Sequence, residues 1–273
     1  MTDQPSSPHA FVLPRTGRQV ALGRPRPSVW DDPRAHNVFR LARYIDRRKL
    51  GPPPDRVVHS DLFTPRMFAN DQVGDCTIAG QANFALLAAA MVGRSDVSFT
   101  DQDVLGRYAR LTGYDPQTGA NDNGAVELDV LTDWRHDAFN GVELCAFASI
   151  DVHDLDLLRH AIALFGAVYV GLNLPSTAQD ELDRRQPWDV VAGTIPGSWG
   201  GHCTIVTDCD WTATVHLFNN ATWASFQPMT EAFWRLCGDE CYAPLTSAWR
   251  QQCPQGMNWD LLDHDLAMLG QVH

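Results

Sequence analysis

The chain has 273 residues, 44% of them hydrophobic, which is enough for a sizeable core and excludes a fully disordered protein. The net charge is -12, which argues against nucleic acid as a partner. No apolar run approaches the roughly 20 residues of a membrane span, and residues 1–10 lack the apolar stretch of a secretory signal. We therefore expect a cytoplasmic protein with no membrane partner, whose seven cysteines are reduced.

The charge is distributed unevenly along the chain. Residues 1–57 carry 11 basic and five acidic residues, a net charge of +6, whereas residues 58–273 carry -18. The basic segment is also rich in proline, and its only predicted helix spans 36–50 and ends at Gly51. We expect residues 1–57 to form an N-terminal extension that wraps over the acidic body by charge attraction. The alternatives are a pro-segment-like strap and an arm that docks a partner.

The remaining chain predicts an α+β order. Residues 58–150 are expected to form a helical lobe, with an Ala-rich buried helix at 76–92 and further helices at 101–111, after the N-cap Thr100, and at 126–136. Residues 151–273 are expected to form a β-rich lobe. It should contain a helix that Asp154 caps, a short helix, and strands at 167–172, 202–207 and 214–218.

The first chemical motif, Asn70-Asp71-Gln72-Val73-Gly74-Asp75-Cys76, directly precedes the buried helix. A cysteine at a helix N-terminus faces the positive end of the helix dipole, which favours the nucleophilic thiolate. Gln72 could donate its amide N–H to an oxyanion beside the sulfur. The alternative for Cys76 is an ordinary buried residue.

The second motif, Gly200-Gly201-His202-Cys203, begins an apolar strand. A neutral imidazole in contact with Cys76 could take its proton and form a thiolate–imidazolium pair. A core histidine bonded to the backbone is the alternative.

The third motif, Asn219-Asn220-Ala221-Thr222-Trp223, lies at the predicted end of the next strand. Here an asparagine oxygen could fix the tautomer of His202 while Trp223 shields the contact from water. A simple turn is the alternative.

The order Gln, Cys, His, Asn at these separations resembles the papain-like cysteine peptidase superfamily over roughly residues 60–245. The segments Ser98–Val104 and Leu158–Leu172 are also similar to segments of that family. The whole chain is more similar to a bacterial papain-like group, whose motifs stand here as Asn70–Thr77, Asp122–Trp134, Pro187–Val191 and Gly200–Cys203. The resemblance implies a two-lobe papain-like α+β fold, a cleft between the lobes, and catalysis by Cys76 and His202. The family's asparagine aligns with Ala221, so Asn219, on the same strand face, or Asn220, after a shift of one residue, would orient His202.

The expected function is acyl transfer by a cysteine nucleophile (thiol protease) on a peptide, a small amide or a thioester. Gln72 and the Cys76 backbone N–H would hold the oxyanion. Water as the acceptor makes the protein a hydrolase, and an amine makes it an acyltransferase or ligase. A non-catalytic binding protein with the same fold is the alternative from another class. No cofactor is expected, and Cys237, Cys241, Cys203 and Cys209 have the wrong spacing for a zinc knuckle. The oligomeric state is left open.

Overall fold

The computed structural model describes residues 8–25, 38–252 and 255–269. The strands are β1 (Ala10–Val12), β2 (Gln19–Ala21), β3 (Arg56–Val57), β4 (Leu144–Ser149), β5 (Val168–Leu174), β6 (Gly200–Asp210), β7 (Leu217–Thr222), β8 (Ser225–Thr230) and β9 (Gly238–Thr246). The helices are α1 (Arg47–Leu50), α2 (Cys76–Met91), α3 (Asp101–Thr112), α4 (Glu127–His136), α5 (Leu155–Phe165), α6 (Thr177–Asp183), α7 (Glu231–Cys237), α8 (Ser247–Arg250) and α9 (Trp259–Leu269). Within these ranges, no helix is both long and apolar enough to cross a bilayer.

One antiparallel sheet organises the molecule, with its strands in the order β4-β9-β5-β6-β7-β8 and β3 paired to β6. Strands β1 and β2 form a separate antiparallel pair in the N-terminal segment. This mixture of helices and antiparallel strands confirms the predicted α+β class.

The sheet carries a hydrophobic core on each face. Side chains alternate along a strand, so Tyr169 of β5 and Ile205 of β6 face α2, whereas Val170 and Val206 point to the opposite side. The first core joins α2 to α3 and α4, and the second joins the sheet to α5 and α7. Helix α2 is buried on nearly all sides, as its Ala-rich sequence predicts.

Predicted helix starts agree with the structure where a capping side chain marks them. Thr100 and Asp103 form a capping box at α3, and the side chain of Asp154 accepts the Leu157 N–H at the start of α5.

The predicted helix at 36–50 is wrong in its described part. A 3-10 turn covers only Leu41–Arg43, and the Asp46 side chain then caps the separate four-residue helix α1. His36 and Asn37 lie outside the described residues.

Candidate active site

Cys76 is the first residue of α2, and its side chain is buried. Its Sγ accepts the backbone N–H of Cys203 at 3.4 Å. Cys203 follows His202 on β6, so the N-terminus of α2 meets the sheet one residue beyond the histidine. The fold therefore brings the first two predicted motifs together, although 123 residues separate them in sequence.

His202 is completely buried and held on two sides. Its Nε2 lies 2.7 Å from Thr222 Oγ1, and its ring stacks on Trp223 with the ring centroids 4.2 Å apart. Its Nδ1 has no hydrogen-bond partner among the described residues. The ring is thus fixed through one nitrogen and one face, and the other nitrogen is left unengaged.

Trp223 reaches this position through a strained turn. The two-residue loop Trp223-Ala224 joins β7 to β8, and both residues adopt left-handed φ angles, 46° and 55°. Such a turn matches the twist of a hairpin, but it disfavours residues that carry a side chain. Strain of this kind is typical of functional sites.

The two predicted asparagines lie inside β7, because this strand begins three residues later than predicted and ends at Thr222. Asn219 Nδ2 donates to Asp208 Oδ2 at 3.0 Å, and Asn220 Nδ2 donates to Gln227 O at 3.0 Å. The hydrogen bond to His202 comes instead from Thr222, which sequence reasoning missed. The sequence does hint at this role, because Thr222 directly precedes Trp223, the tryptophan that we predict to shield the contact with His202.

Gln72, the predicted oxyanion donor, is exposed, and its backbone N–H donates to Ala69 O at 2.9 Å. The buried amide in this loop belongs to Asn70, whose Nδ2 donates to Val73 O at 3.1 Å. The structure therefore does not bury the Gln72 side chain beside Cys76.

Asp122 positions the loop before Cys76, a role that sequence reasoning missed. Its carboxylate accepts the Gly74 N–H at 3.1 Å and the Tyr108 hydroxyl at 2.7 Å. Asp122 does not cap α4, which begins at Glu127 after the N-cap Val126.

Residues 8–25, here called the N-terminal strap, cross directly over this site. Ala21 O accepts the Trp223 indole N–H at 3.0 Å, and the Arg24 N–H donates to Gly201 O at 3.2 Å. Gly23 O accepts the Ala125 N–H at 3.0 Å. A Cβ on Gly23 would lie 1.9 Å from Gly74 O, so the strap fits only because residue 23 has no side chain. The strap thus contacts the loop before Cys76, the residue before His202 and the indole that stacks on His202.

Comparison with known proteins gives structural matches only. No protein-family model matches the sequence, and no curated protein is similar to it. The structure is similar to xylellain, a cysteine protease from Xylella fastidiosa, with a TM-score of 0.58 and 12% identity over 82% of this chain and 95% of that chain. It is also similar to procathepsin B S9 from Trypanosoma congolense, with a TM-score of 0.57 and 9% identity over 83% and 86%. Digestive procathepsin L 3 from Tenebrio molitor larval midgut gives a TM-score of 0.53 and 12% identity over 71% and 70%.

The chain has the papain-like fold. Burial is the main influence on the pKa of both predicted catalytic side chains. It raises the pKa of the Cys76 thiol to about 12, an effect that the Cys203 N–H partly offsets and that Asp75 and Glu127 reinforce. Burial also lowers the pKa of His202 to about 3, with a further contribution from Arg24. With the strap in place, the resting site therefore holds a neutral thiol and a neutral imidazole.

Asp75, which directly precedes Cys76, is completely buried. Neither oxygen of its carboxyl accepts a well-aligned hydrogen bond among the described residues. Burial raises the pKa of this carboxyl well above its ordinary value, although the Asn70 amide opposes the shift. A charged Asp75 would disfavour the Cys76 thiolate, so a neutral Asp75 is the form compatible with a reactive sulfur.

Proposed function

We propose that this protein is a cysteine peptidase that cleaves a peptide or amide bond by acyl transfer through Cys76. The observation that carries the proposal is the contact of Cys76 Sγ with the Cys203 N–H, one residue after a histidine clamped by Thr222 and Trp223. Nucleophilic catalysis requires a thiol at a site that favours the thiolate and an oriented imidazole with a nitrogen able to take its proton, and Cys76 and His202 supply these two groups.

The steps follow from these positions. His202 Nδ1 takes the proton of Cys76, and the sulfur attacks the substrate carbonyl carbon. The Cys76 backbone N–H, at the free N-terminus of α2, stabilises the oxyanion. The intermediate collapses to a thioester and expels the amine, which receives the proton from His202. Water then attacks the thioester, His202 takes its proton, and the acid and the free thiol are released.

The strap has to leave before this chemistry can begin. Its departure would admit water, lower the pKa of Cys76 and raise that of His202, because burial is the main cause of both shifts. An amine in place of the second water would convert the same thioester to a new amide. Adding hydroxylamine to the reaction and measuring hydroxamate distinguishes this transferase from the hydrolase.

Gly23→Val provides the first test, because the added side chain would collide with the backbone of Gly74 and displace the strap. We expect iodoacetamide to label Cys76 slowly at pH 7 in the wild-type protein. In the variant, labelling should be at least tenfold faster, with an apparent thiol pKa nearer the ordinary ~8.5 or below. Peptide mapping by mass spectrometry identifies the labelled residue.

Gly17→Asn is the matched control in the strap, because Gly17 has open space around it and asparagine tolerates its left-handed φ of 66°. The displaced variant should also hydrolyse fluorogenic peptides, and Cys76→Ala should abolish that activity. If all cysteines of Gly23→Val are labelled equally slowly and no peptide is cleaved, the protein is a binding protein and the proposal is wrong.

A further inference from the structure

The side chain of Arg24 fills an enclosed acidic pocket beside the candidate active site. Its side chain is inaccessible to solvent, and three carboxylates from two elements surround it. Arg24 Nε and Nη2 lie 2.9 and 2.7 Å from Glu240 Oε1, and Nη2 lies 2.5 Å from Asp239 Oδ1. Glu127 Oε1, at the start of α4, lies 3.1 Å from Nε.

The pocket is constructed around a planar cation. Tyr242 OH donates to Glu240 Oε2 at 2.9 Å, and Asn173 Nδ2 donates to Asp239 Oδ2 at 2.8 Å, so both carboxylates are held in place. A Cβ on Gly171 would lie 2.3 Å from the Arg24 Cζ, so the absence of a side chain there creates the space that the guanidinium fills.

Two buried glutamates share the single guanidinium of Arg24. Glu127 and Glu240 are both buried, and burial raises the pKa of each, while Arg24 opposes the rise. Glu127 Oε2 and Arg24 Nη1 have no hydrogen-bond partner among the described residues. A fork of donors approached by carboxylates from several directions suits a guanidinium better than the point charge of a lysine.

The position of the pocket connects it to the chemistry. The Arg24 N–H donates to Gly201 O, and Gly201 directly precedes His202. A cavity that Arg24 helps to line is also lined by Trp199, Gly200 and Asn123. Any peptide residue whose side chain enters the pocket therefore has its backbone next to the reactive histidine.

We propose that this pocket is the subsite that selects the substrate, that it takes an arginine side chain of a peptide, and that Arg24 is its internal occupant. The statement that arginine-containing peptides are cleaved rests on the proposed function. The statement that the pocket binds a guanidinium does not. Arginine-containing peptides are then the substrates, and substrate and strap compete for one pocket.

The first test measures binding without catalysis. Arg24→Ala in the full chain empties the pocket, and we expect its melting temperature to fall. Millimolar N-acetyl-arginine amide should restore it saturably, whereas the N-acetyl amides of citrulline, which has the same shape without the charge, and of lysine should not. Glu240→Gln added to Arg24→Ala should abolish the rescue.

A second pair of variants keeps the test valid if Arg24→Ala does not fold. Gly23→Val displaces the strap without altering the pocket, and calorimetric titration with N-acetyl-arginine amide replaces the melting experiment. Gly171→Ala added to Gly23→Val should block binding, because its methyl group occupies the guanidinium position. Gly106→Ala, at an exposed position of α3 with open space around it, is the matched control.

The second test uses peptides with a single arginine at each position around the scissile bond, on Gly23→Val. At one position, exchange of arginine for citrulline should lower kcat/KM at least tenfold, and Gly171→Ala should remove that preference. Binding without cleavage of any peptide would overturn the proposed function and leave the pocket assignment intact. Cleavage with no preference for arginine, together with no rescue or binding by arginine amide, would overturn the pocket assignment and make Arg24 a permanent part of the fold.

Discussion

At the scale of single residues, the contact between Thr222 and His202 decides how the imidazole is oriented. A hydroxyl both donates and accepts, whereas an amide oxygen only accepts. The tautomer with hydrogen on Nε2, which leaves Nδ1 able to take a proton from Cys76, therefore requires Thr222 Oγ1 to act as the acceptor. The stacked indole of Trp223 keeps water from competing for this bond.

Thr222→Val replaces the hydroxyl by a methyl group of nearly the same shape. On the Gly23→Val background we expect kcat for peptide hydrolysis to fall roughly 10- to 100-fold with little change in KM, less than the 10²–10⁴ typical of a complete general base. Thr222→Ser should restore most of the activity and the pH profile. Equal activity of the valine and serine variants would show that the hydroxyl does not position His202.

Sequence reasoning predicted the places of Cys76 and His202 in the fold, because each carries a local signal, a helix start and a glycine-flanked strand start. It did not identify Thr222, because threonine is common inside strands and its role depends on where β7 ends. It also missed Arg24, which looks like one of many basic residues in a Pro-rich segment. Burial of its charge becomes visible only when three carboxylates from distant parts of the chain surround it.

At the scale of elements, the hairpin β7–β8 is strained at its turn for the benefit of the site. The left-handed conformation costs about 1–2 kcal/mol for a residue with a side chain, and Trp223 and Ala224 both adopt it. Stacking on His202 offsets the conformational cost for Trp223, but the exposed Ala224 makes no such ring contact.

We therefore expect Ala224→Gly to stabilise the protein by up to about 1 kcal/mol. An alanine-to-glycine change usually lowers the free energy of unfolding. Ala109→Gly inside α3 is therefore expected to destabilise the protein by about 1 kcal/mol. Urea unfolding followed by tryptophan fluorescence measures both values. Destabilisation of both variants by similar amounts would contradict the assignment of strain to this turn.

Helices with capping side chains were predictable at this scale, but β9 was not. Asp239 and Glu240 interrupt its pattern, because charged residues are unfavourable in a buried strand. The structure explains why a strand carries these two charged residues, since both bind the Arg24 guanidinium in the acidic pocket. Local rules thus fail where the proposed pocket places carboxylates inside a strand.

At the scale of the whole molecule, the basic N-terminal segment contains two different parts. The strap crosses the site, whereas residues 38–57 belong to the main core: Leu41, Tyr44 and Val57 are buried, and β3 pairs with β6. In residues 38–57, ion pairs with the acidic body such as Arg43 with Asp265 lie on the surface and contribute at most about 1 kcal/mol each.

Truncation should separate these two parts. Removal of residues 1–25 is expected to leave a cooperative thermal transition and to speed labelling of Cys76. Removal of residues 1–57 should abolish the transition, because it exposes the second core and takes β3 from the sheet. Circular dichroism during heating measures both. Equal melting temperatures for the two truncated chains would contradict the division at residue 38.

A consequence of the Arg24 contact concerns how affinities of this protein should be interpreted. The arginine of a substrate has to compete with Arg24 of the same chain. Only the open molecules, in which the strap has left the pocket, can therefore bind it. A dissociation constant measured on the intact chain is therefore larger than the intrinsic value by the ratio of all molecules to open ones. Dividing this constant by the dissociation constant of Gly23→Val gives that ratio, and the ratio measures how stable the closed position of the strap is.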